Sequence, residues 1–242
     1  MMYLNERIDD LQRGGLRVIQ RADAFRFGTD AVLLADFAAP RRHDRVCDLG
    51  TGTGIIPLLL YARENTISAD AVEIQPDMAD MAARSMAMNG LNEKIHVLPG
   101  DLRSIRTLLP HARYDLVTCN PPYGKAGGTL LNPDASKRLA RHEESCAIED
   151  VACAAAWLLQ NGGRLCCVFP AARMIELSDA MRKYRMAPKR IRMVHSRVEK
   201  AAHLCLMEGM LDARPGLIIE PPLVIYDENN AYTPELRRIY GL

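Results

Sequence analysis

Arg45-Val46-Cys47-Asp48-Leu49-Gly50-Thr51-Gly52-Thr53-Gly54-Ile55-Ile56-Pro57-Leu58 is the stretch that decides the fold. It opens with a short apolar run carrying an acid near its end, as a buried strand does. Three glycines at alternate positions follow, then aliphatic residues that read as a helix to about Ala62. Strand, glycine-rich turn and helix make a nucleotide-type pocket, because glycine lets the backbone approach a ligand with no Cβ between them. Pro57 falls in the first turn of the helix, where its missing N–H is tolerated. A dinucleotide fingerprint needs glycine where Ile55 stands, and a P-loop needs a Gly-Lys-Ser/Thr ending that is absent. A pyrophosphate is therefore not the expected guest.

The same unit repeats downstream. Ala69 to Ile74 reads as a strand, followed by a helix from Pro76 to about Asn89. Glu73 lies roughly 20 residues beyond the glycines, where a carboxylate accepts hydrogen bonds from ribose hydroxyls. The expected guest becomes a nucleoside, with Thr51 and Ile74 as further lining. A third strand, Lys94 to Leu98, leads to Gly100-Asp101-Leu102, which can border an adenine ring. A single acid at a strand end is often only a helix cap. Asp48, Glu73 and Asp101 in succession, each following a predicted parallel strand, argue for a pocket at one edge of an open α/β sheet.

The fourth strand, Tyr114 to Cys119, runs into Asn120-Pro121-Pro122-Tyr123. A proline fixes its own φ, supplies no N–H and pushes the preceding residue into an extended conformation. The Pro121 carbonyl and the Asn120 side-chain oxygen are thereby left as rigid acceptors, with the flat Tyr123 ring beside them. That constellation suits a planar group bearing NH₂. Its plain alternative is a rigid turn, since Asn and Pro are common turn formers.

Elsewhere, Gly28-Thr29-Asp30 precedes an apolar run to Ala39, so Thr29 is predicted as a helix N-cap, with Asp30 complementing the positive helix end. This helix start is also a candidate part of the pocket. Gly124 to Thr129 and the mixed-charge stretch after it, with Arg138 and Arg141, read as a long loop, a candidate substrate lid. A helix from Ile148 to Leu159, a Gly162-Gly163 turn, a strand Arg164 to Phe169 and a helix from Ala171 to about Tyr184 follow. From Arg182 to Lys200 the charge becomes basic: Arg182, Lys183, Arg185, Lys189, Arg190, Arg192, Arg197 and Lys200 stand against one acid, Glu199. Such a local field holds phosphates, or else is a solvated face. Strands at Leu204 to Met207 and around Gly216 to Tyr226, then a helix capped by Thr233-Pro234-Glu235, end the chain.

The 242 residues are 48% hydrophobic, ample for a core, with a formal net charge of +1. No apolar run is long enough for a bilayer and no signal-peptide pattern opens the chain, so a cytoplasmic protein is expected. The seven cysteines form no C-x-x-C pair and mostly sit in apolar runs. They read as core residues of a reduced compartment, not as a disulfide framework or zinc site, and no metal is expected.

Asp48 to Gly54 together with Asn120 to Tyr123 resembles the Rossmann-like class I methyltransferases that use S-adenosylmethionine. Gly28 to Leu34, Arg141-His142-Glu143 and Tyr232-Thr233-Pro234-Glu235 are similar, more particularly, to the bacterial tRNA(Val) adenine-37 N6-methyltransferase family. The resemblance implies an α/β fold with a seven-stranded, mostly parallel sheet, helices on both faces and a final antiparallel hairpin. It also implies a single unit in which residues 1–44 cover the cofactor pocket of a domain spanning 45–242. Asp48, Gly50, Gly52 and Gly54 match the family's cofactor turn, Glu73 and Asp101-Leu102 its ribose and adenine contacts, and Asn120 to Tyr123 its catalytic motif, with Asn120 also bordering the cofactor. The implied reaction is methylation of an adenine N6 in tRNA, the base flipped from a single-stranded loop and the basic run, with Arg138 and Arg141, gripping the RNA. A glutamine N5-methyltransferase acting on protein and an rRNA base-amine methyltransferase share the Asn-Pro-Pro-Tyr logic. A non-catalytic RNA-binding module is the remaining alternative. Glutamine-modifying relatives carry a longer helical amino-terminal domain than the 44 residues before Arg45 provide.

Overall fold

The computed structural model describes residues 3, 5–21, 28–122 and 147–242. A hairpin of β1 (Glu6–Asp10) and β2 (Arg17–Arg21) comes first, paired with Ile8 opposite Ile19. Five parallel strands form the middle of the main sheet: β3 (Arg45–Leu49), β4 (Ser68–Glu73), β5 (Ile95–Pro99), β6 (Tyr114–Cys119) and β7 (Leu159–Pro170), in the order β7-β6-β3-β4-β5. β9 (Ala202–Leu211) lies antiparallel to β7, and β8 (Met186–His195) antiparallel to β9. These are the seven expected strands. Two more, β10 (Ile218–Ile219) and β11 (Leu223–Val224), run parallel along the outer edge of β8 and bring the sheet to nine.

Helices cover both faces. α1 (Thr29–Ala38), α2 (Ile55–Arg63), α3 (Pro76–Met88) and α7 (Pro234–Tyr240) contribute to one hydrophobic cluster, and α4 (Ile105–Leu108), α5 (Ile148–Leu158) and α6 (Met174–Lys183) to the other. Strands between two helical layers bury both sides, so their sequences read as near-continuous apolar runs. Leu116 and Val117 of β6, or Cys166 and Cys167 of β7, point into opposite clusters. Cys47, Cys119, Cys166, Cys167 and Cys205 are buried and in no disulfide, as expected of core residues.

Three local readings are corrected. Gly28, not Thr29, is the N-cap of α1, and Thr29 is its first helical residue. Gly162 and Gly163 do not turn a helix into a strand; they lie inside β7, which begins directly after α5, where the pairing with β6 shifts register. The amino-terminal segment, for which no strand was predicted, forms the β1–β2 hairpin, held on α3. Ile19 N–H donates to Ser85 Oγ at 3.0 Å, Arg17 N–H to Asn89 Oδ1 at 2.9 Å, and Arg84 clasps both oxygens of Glu6 at 2.8 and 2.6 Å. Polar side chains of a helix thus satisfy edge-strand donors that would otherwise need water or another strand.

Candidate active site at the carboxyl edge of the sheet

Parallel order puts the ends of β3, β4, β5 and β6 at one edge, and the expected pocket residues gather there. Gly50 and Thr51 N–H both donate to Val72 O, at 2.9 and 3.0 Å. Glu73 braces the same turn: its Oε2 accepts from Gly52 N–H at 2.8 Å and its Oε1 from Gln75 N–H at 2.9 Å. Each oxygen keeps a lone pair for a further donor. Gly50, Gly52 and Gly54 all have left-handed φ, at 71°, 57° and 82°. Among the described residues a Cβ on Gly50 would meet nothing within 4 Å, whereas one on Gly54 would stand 2.4 Å from Met86 Cε. At Gly54 the left-handed φ and the crowding by Met86 and Ala82 of α3 both disfavour a side chain, and Gly50 leaves open space at the edge.

Asp48 is fully buried and paired in register with Thr118 of β6, whose Oγ1 donates to Asp48 Oδ1 at 2.6 Å. Burial pushes the Asp48 carboxyl up to about 7, against the lowering effect of the Thr118 and Thr51 hydroxyls. Asp48 Oδ2 and Thr51 Oγ1 are buried and make no well-formed hydrogen bond among the described residues, although the Thr51 hydroxyl stands close enough to Asp48 to lower its pKa. Buried oxygens short of a full hydrogen bond are rare and favour a further donor. Thr118 escaped the sequence reading; its one signal is a hydroxyl two residues before Asn120, in the apolar half of the strand.

Ile74 is 44% exposed beside Glu73, and Leu102 is half-buried across from it after β5, giving two apolar surfaces at the edge. Asp101 caps the short turn Leu102–Ser104 through Arg103 N–H and forms an ion pair with the Arg103 guanidinium, which lowers its pKa. An adenine contact by Asp101 therefore competes with Arg103. At the end of β6, Asn120 is half-exposed, Pro121 buried and Pro122 exposed. Tyr123, Arg138 and Arg141 lie outside the described residues. Thr29, relieved of capping, accepts from Tyr240 Oη at 3.1 Å, which fixes the start of α1 to α7, and Asp30 follows it in the first turn.

The basic run divides. Arg190 is half-buried and fully engaged: it donates to Glu208 at 3.1 Å, Glu220 at 3.0 Å and Phe37 O at 2.7 Å, with its Cζ 4.1 Å above the Phe37 ring. Buried Arg164 joins it on Glu208 and also donates to Ala38 O at 3.0 Å. Together the two arginines cap the carboxyl end of α1. Arg192 clasps Glu235 of α7 at 2.8 Å and donates to Pro221 O at 3.0 Å. Arg190 and Arg192, expected to face RNA, are thus engaged in pairings within the fold. Lys183 pairs with Glu149 at 2.6 Å, Arg185 with Asp212 at 2.5 Å, and Lys189 donates to Arg214 O at 3.3 Å. Arg182 is exposed. β8 separates Arg185, at the amino edge, from Arg197 and Lys200 in the β8–β9 turn beyond the carboxyl edge; its ten residues span about 33 Å. Arg197 donates to Asp227 O at 3.4 Å and to Asn230, and Lys200 is exposed.

A mostly parallel sheet in this order, with a glycine turn after β3 and acids at the ends of β3 and β4, defines a Rossmann-like methyltransferase of class I. The comparisons agree. The methyltransferase small domain matches residues 22–190. The chain is 32% identical over 231 residues to the tRNA1(Val) (adenine(37)-N6)-methyltransferase of Porphyromonas gingivalis, covering 91% of this chain and 89% of that one. It is 34% identical over 216 residues to the protein of the same name from Tolumonas auensis, covering 88% and 86%. Among solved structures, protein Atu636 of Agrobacterium tumefaciens, described as a predicted O-methyltransferase, matches with a TM-score of 0.73 at 24% identity, covering 88% of this chain and 96% of that one, a likeness of fold alone. The chain belongs to the methyltransferase small-domain family, and within it to the family of the bacterial tRNA1(Val) (adenine(37)-N6)-methyltransferases.

Proposed function

We propose that this protein transfers the methyl group of S-adenosylmethionine to the exocyclic N6 amine of an adenine in tRNA. The observation that carries the cofactor part is the fully buried Asp48 carboxyl, whose Oδ2 makes no well-formed hydrogen bond among the described residues, beside the open space at Gly50. These residues fit the cofactor: Asp48 would face its positive groups, Glu73 its ribose, and Ile74 and Leu102 its adenine, while Gly50 and Gly52 let it approach the backbone. The amino-terminal segment would close the pocket, with Thr29 and Asp30 at its rim. When bound, S-adenosylmethionine supplies a methyl group made electrophilic by its sulfonium.

The chain acts on the amine. An adenine N6 lone pair is delocalised into the ring and is a poor nucleophile. Asn120 and the Pro121 carbonyl accept its two N–H bonds, so charge that builds on the nitrogen meets dipoles already in place. The base leaves its stack to reach them, with Tyr123 as its expected neighbour. Positioning does most of the work. No strong base is required, since the amine becomes acidic only as it is alkylated and its proton passes to water. Coverage of nine-tenths of the P. gingivalis adenine-37 relative supports tRNA over a protein glutamine, and a tRNA substrate supports a cytoplasmic setting.

Labelled methyl from S-adenosylmethionine is offered to tRNA, DNA and protein extract in parallel, with nucleoside mass spectrometry of the RNA. N6-methyladenosine in tRNA is the expected product; label in protein alone would move the reading to glutamine. Asn120→Ala should keep cofactor binding and lose turnover.

A further inference from the structure

A groove of about 700 Å³ opens beside Pro121 and Pro122 and runs between the start of α5 and α6, within the range of ligand-binding clefts. Phe169, 2% exposed at the end of β7, is part of its wall. The Arg173 guanidinium lies over that ring, Cζ 4.9 Å from the centroid. Glu176, one turn further along, holds it in place, accepting from Arg173 Nε at 3.1 Å and from Nη2 at 2.8 Å. An aromatic ring on one side and a carboxylate along one edge leave a planar group with little freedom. Its side chain keeps 27% of its surface accessible and lines the groove.

The charge of the groove argues against a phosphate channel. Arg173 is neutralised by Glu176, and Lys183 by Glu149 at 2.6 Å, while Asp179 adds a further acid. What remains is a flat, charge-neutralised guanidinium with acceptors around it. That is the chemistry of a nucleobase site, in which the face stacks and amino edges donate. We propose that Arg173 is the stacking platform for a nucleobase adjacent in sequence to the adenine being methylated. When one base leaves a loop stack, its neighbour loses a partner, and the guanidinium replaces it. The proposal rests on the RNA reading above and extends it to a second nucleotide in the groove that begins at Pro121 and Pro122.

The test uses tRNA loop RNAs with normal bases or with an abasic nucleotide on the 5′ or the 3′ side of the methylated adenine, assayed with wild type, Arg173→Lys and Arg173→Gln. An abasic neighbour on one side should raise the wild-type KM for RNA about tenfold, in the range of one lost stack. Arg173→Lys should raise it similarly, with the KM for S-adenosylmethionine unchanged, and the two changes together should be no worse than either alone. 2-Aminopurine at that position should be quenched by wild type. Arg173→Gln, flat but uncharged, should keep more of the quenching than Arg173→Lys, charged but not flat. Independent, additive effects of variant and abasic site would overturn the proposal, as would Arg173→Lys behaving as wild type or keeping more quenching than Arg173→Gln. Failure of the wild type itself to label tRNA would instead overturn the substrate reading beneath it.

Discussion

Thr118 Oγ1 and Asp48 Oδ1, 2.6 Å apart, tie the strand that leads into the glycine turn to the strand that leads into Asn120. One hydrogen bond thereby fixes two halves of the site relative to each other. Thr118→Val keeps the shape and removes the donor, leaving a buried carboxyl oxygen unsatisfied at a cost of about 1–3 kcal/mol. Calorimetric titration should show cofactor affinity falling about 10- to 100-fold. An unchanged affinity would mean that Asp48 does not face the cofactor.

The pH dependence of stability follows from the same carboxyl. Asp48 rises from the usual 3.8 to about 7 because it is buried. The folded protein therefore keeps a proton that the unfolded chain releases near pH 4. The stabilisation from this group is fully present below that pH and is lost as pH rises through about 7. Across the interval it amounts to roughly 4 kcal/mol at 1.36 kcal/mol per unit. Urea unfolding at pH 5 and pH 8 should show the loss, and Asp48→Asn, permanently neutral, should remove it. Because a positively charged ligand favours the carboxylate, S-adenosylmethionine should bind more tightly above pH 7 and release a proton as it binds.

Gly54→Ala and Gly50→Ala separate folding from binding. Both force a left-handed φ on alanine, which costs roughly 1 kcal/mol. Only at Gly54 must the new methyl also displace a neighbour, the Met86 terminal methyl, while pressing on Ala82 of α3. Thermal unfolding should report a larger loss for Gly54→Ala, about 2–3 kcal/mol in total. For Gly50→Ala the larger effect should be on cofactor affinity.

Substitutions in the basic run should sort by partner, not by charge. Removing Arg190 leaves the Glu208 carboxylate, buried between strands, short of one of its two cations, and destabilisation of about 2–4 kcal/mol is expected. Arg192→Ala should loosen α7 through Glu235. Neither should change the salt dependence of RNA binding. Lys200→Gln, in the β8–β9 turn beyond the catalytic edge, should leave the unfolding midpoint unmoved and lower the slope of log affinity against log salt by about 0.7. A drop in slope for Arg190→Ala with no loss of stability would reverse that assignment.

β3 and β6 could be read to the residue because each has an apolar centre buried on both faces and an abrupt end, at the glycine turn for β3 and at Asn120-Pro121 for β6. The glycine turn and the Asn-Pro-Pro stretch were equally legible, since spacing and backbone restriction are local. β8 was not. Its arginines read as a charged surface because the acids that accept them, Glu208, Glu220 and Glu235, lie 18 to 43 residues away in the chain. The β1–β2 hairpin was hidden for the same reason, its edge being satisfied by Ser85 and Asn89 of α3. Thr29 was misplaced by one position because Gly and Thr both suit an N-cap, and its tertiary partner, Tyr240, is 211 residues distant.

The two short strands along β8 bear on how the protein behaves when concentrated. Ile218 and Ile219 of β10 are 64% and 73% exposed, the kind of apolar edge on which sheets of different molecules grow together. Between β10 and β11 stand Glu220, whose N–H is already taken by Ile191 O, and Pro221 and Pro222, which have no N–H to offer. A second molecule approaching this margin finds two sticky residues and then a gap in the hydrogen-bond ladder. The outer border of the sheet is thus built to resist fibrillar self-association, and Pro221 and Pro222 are the residues an engineer should leave alone when preparing the protein for storage.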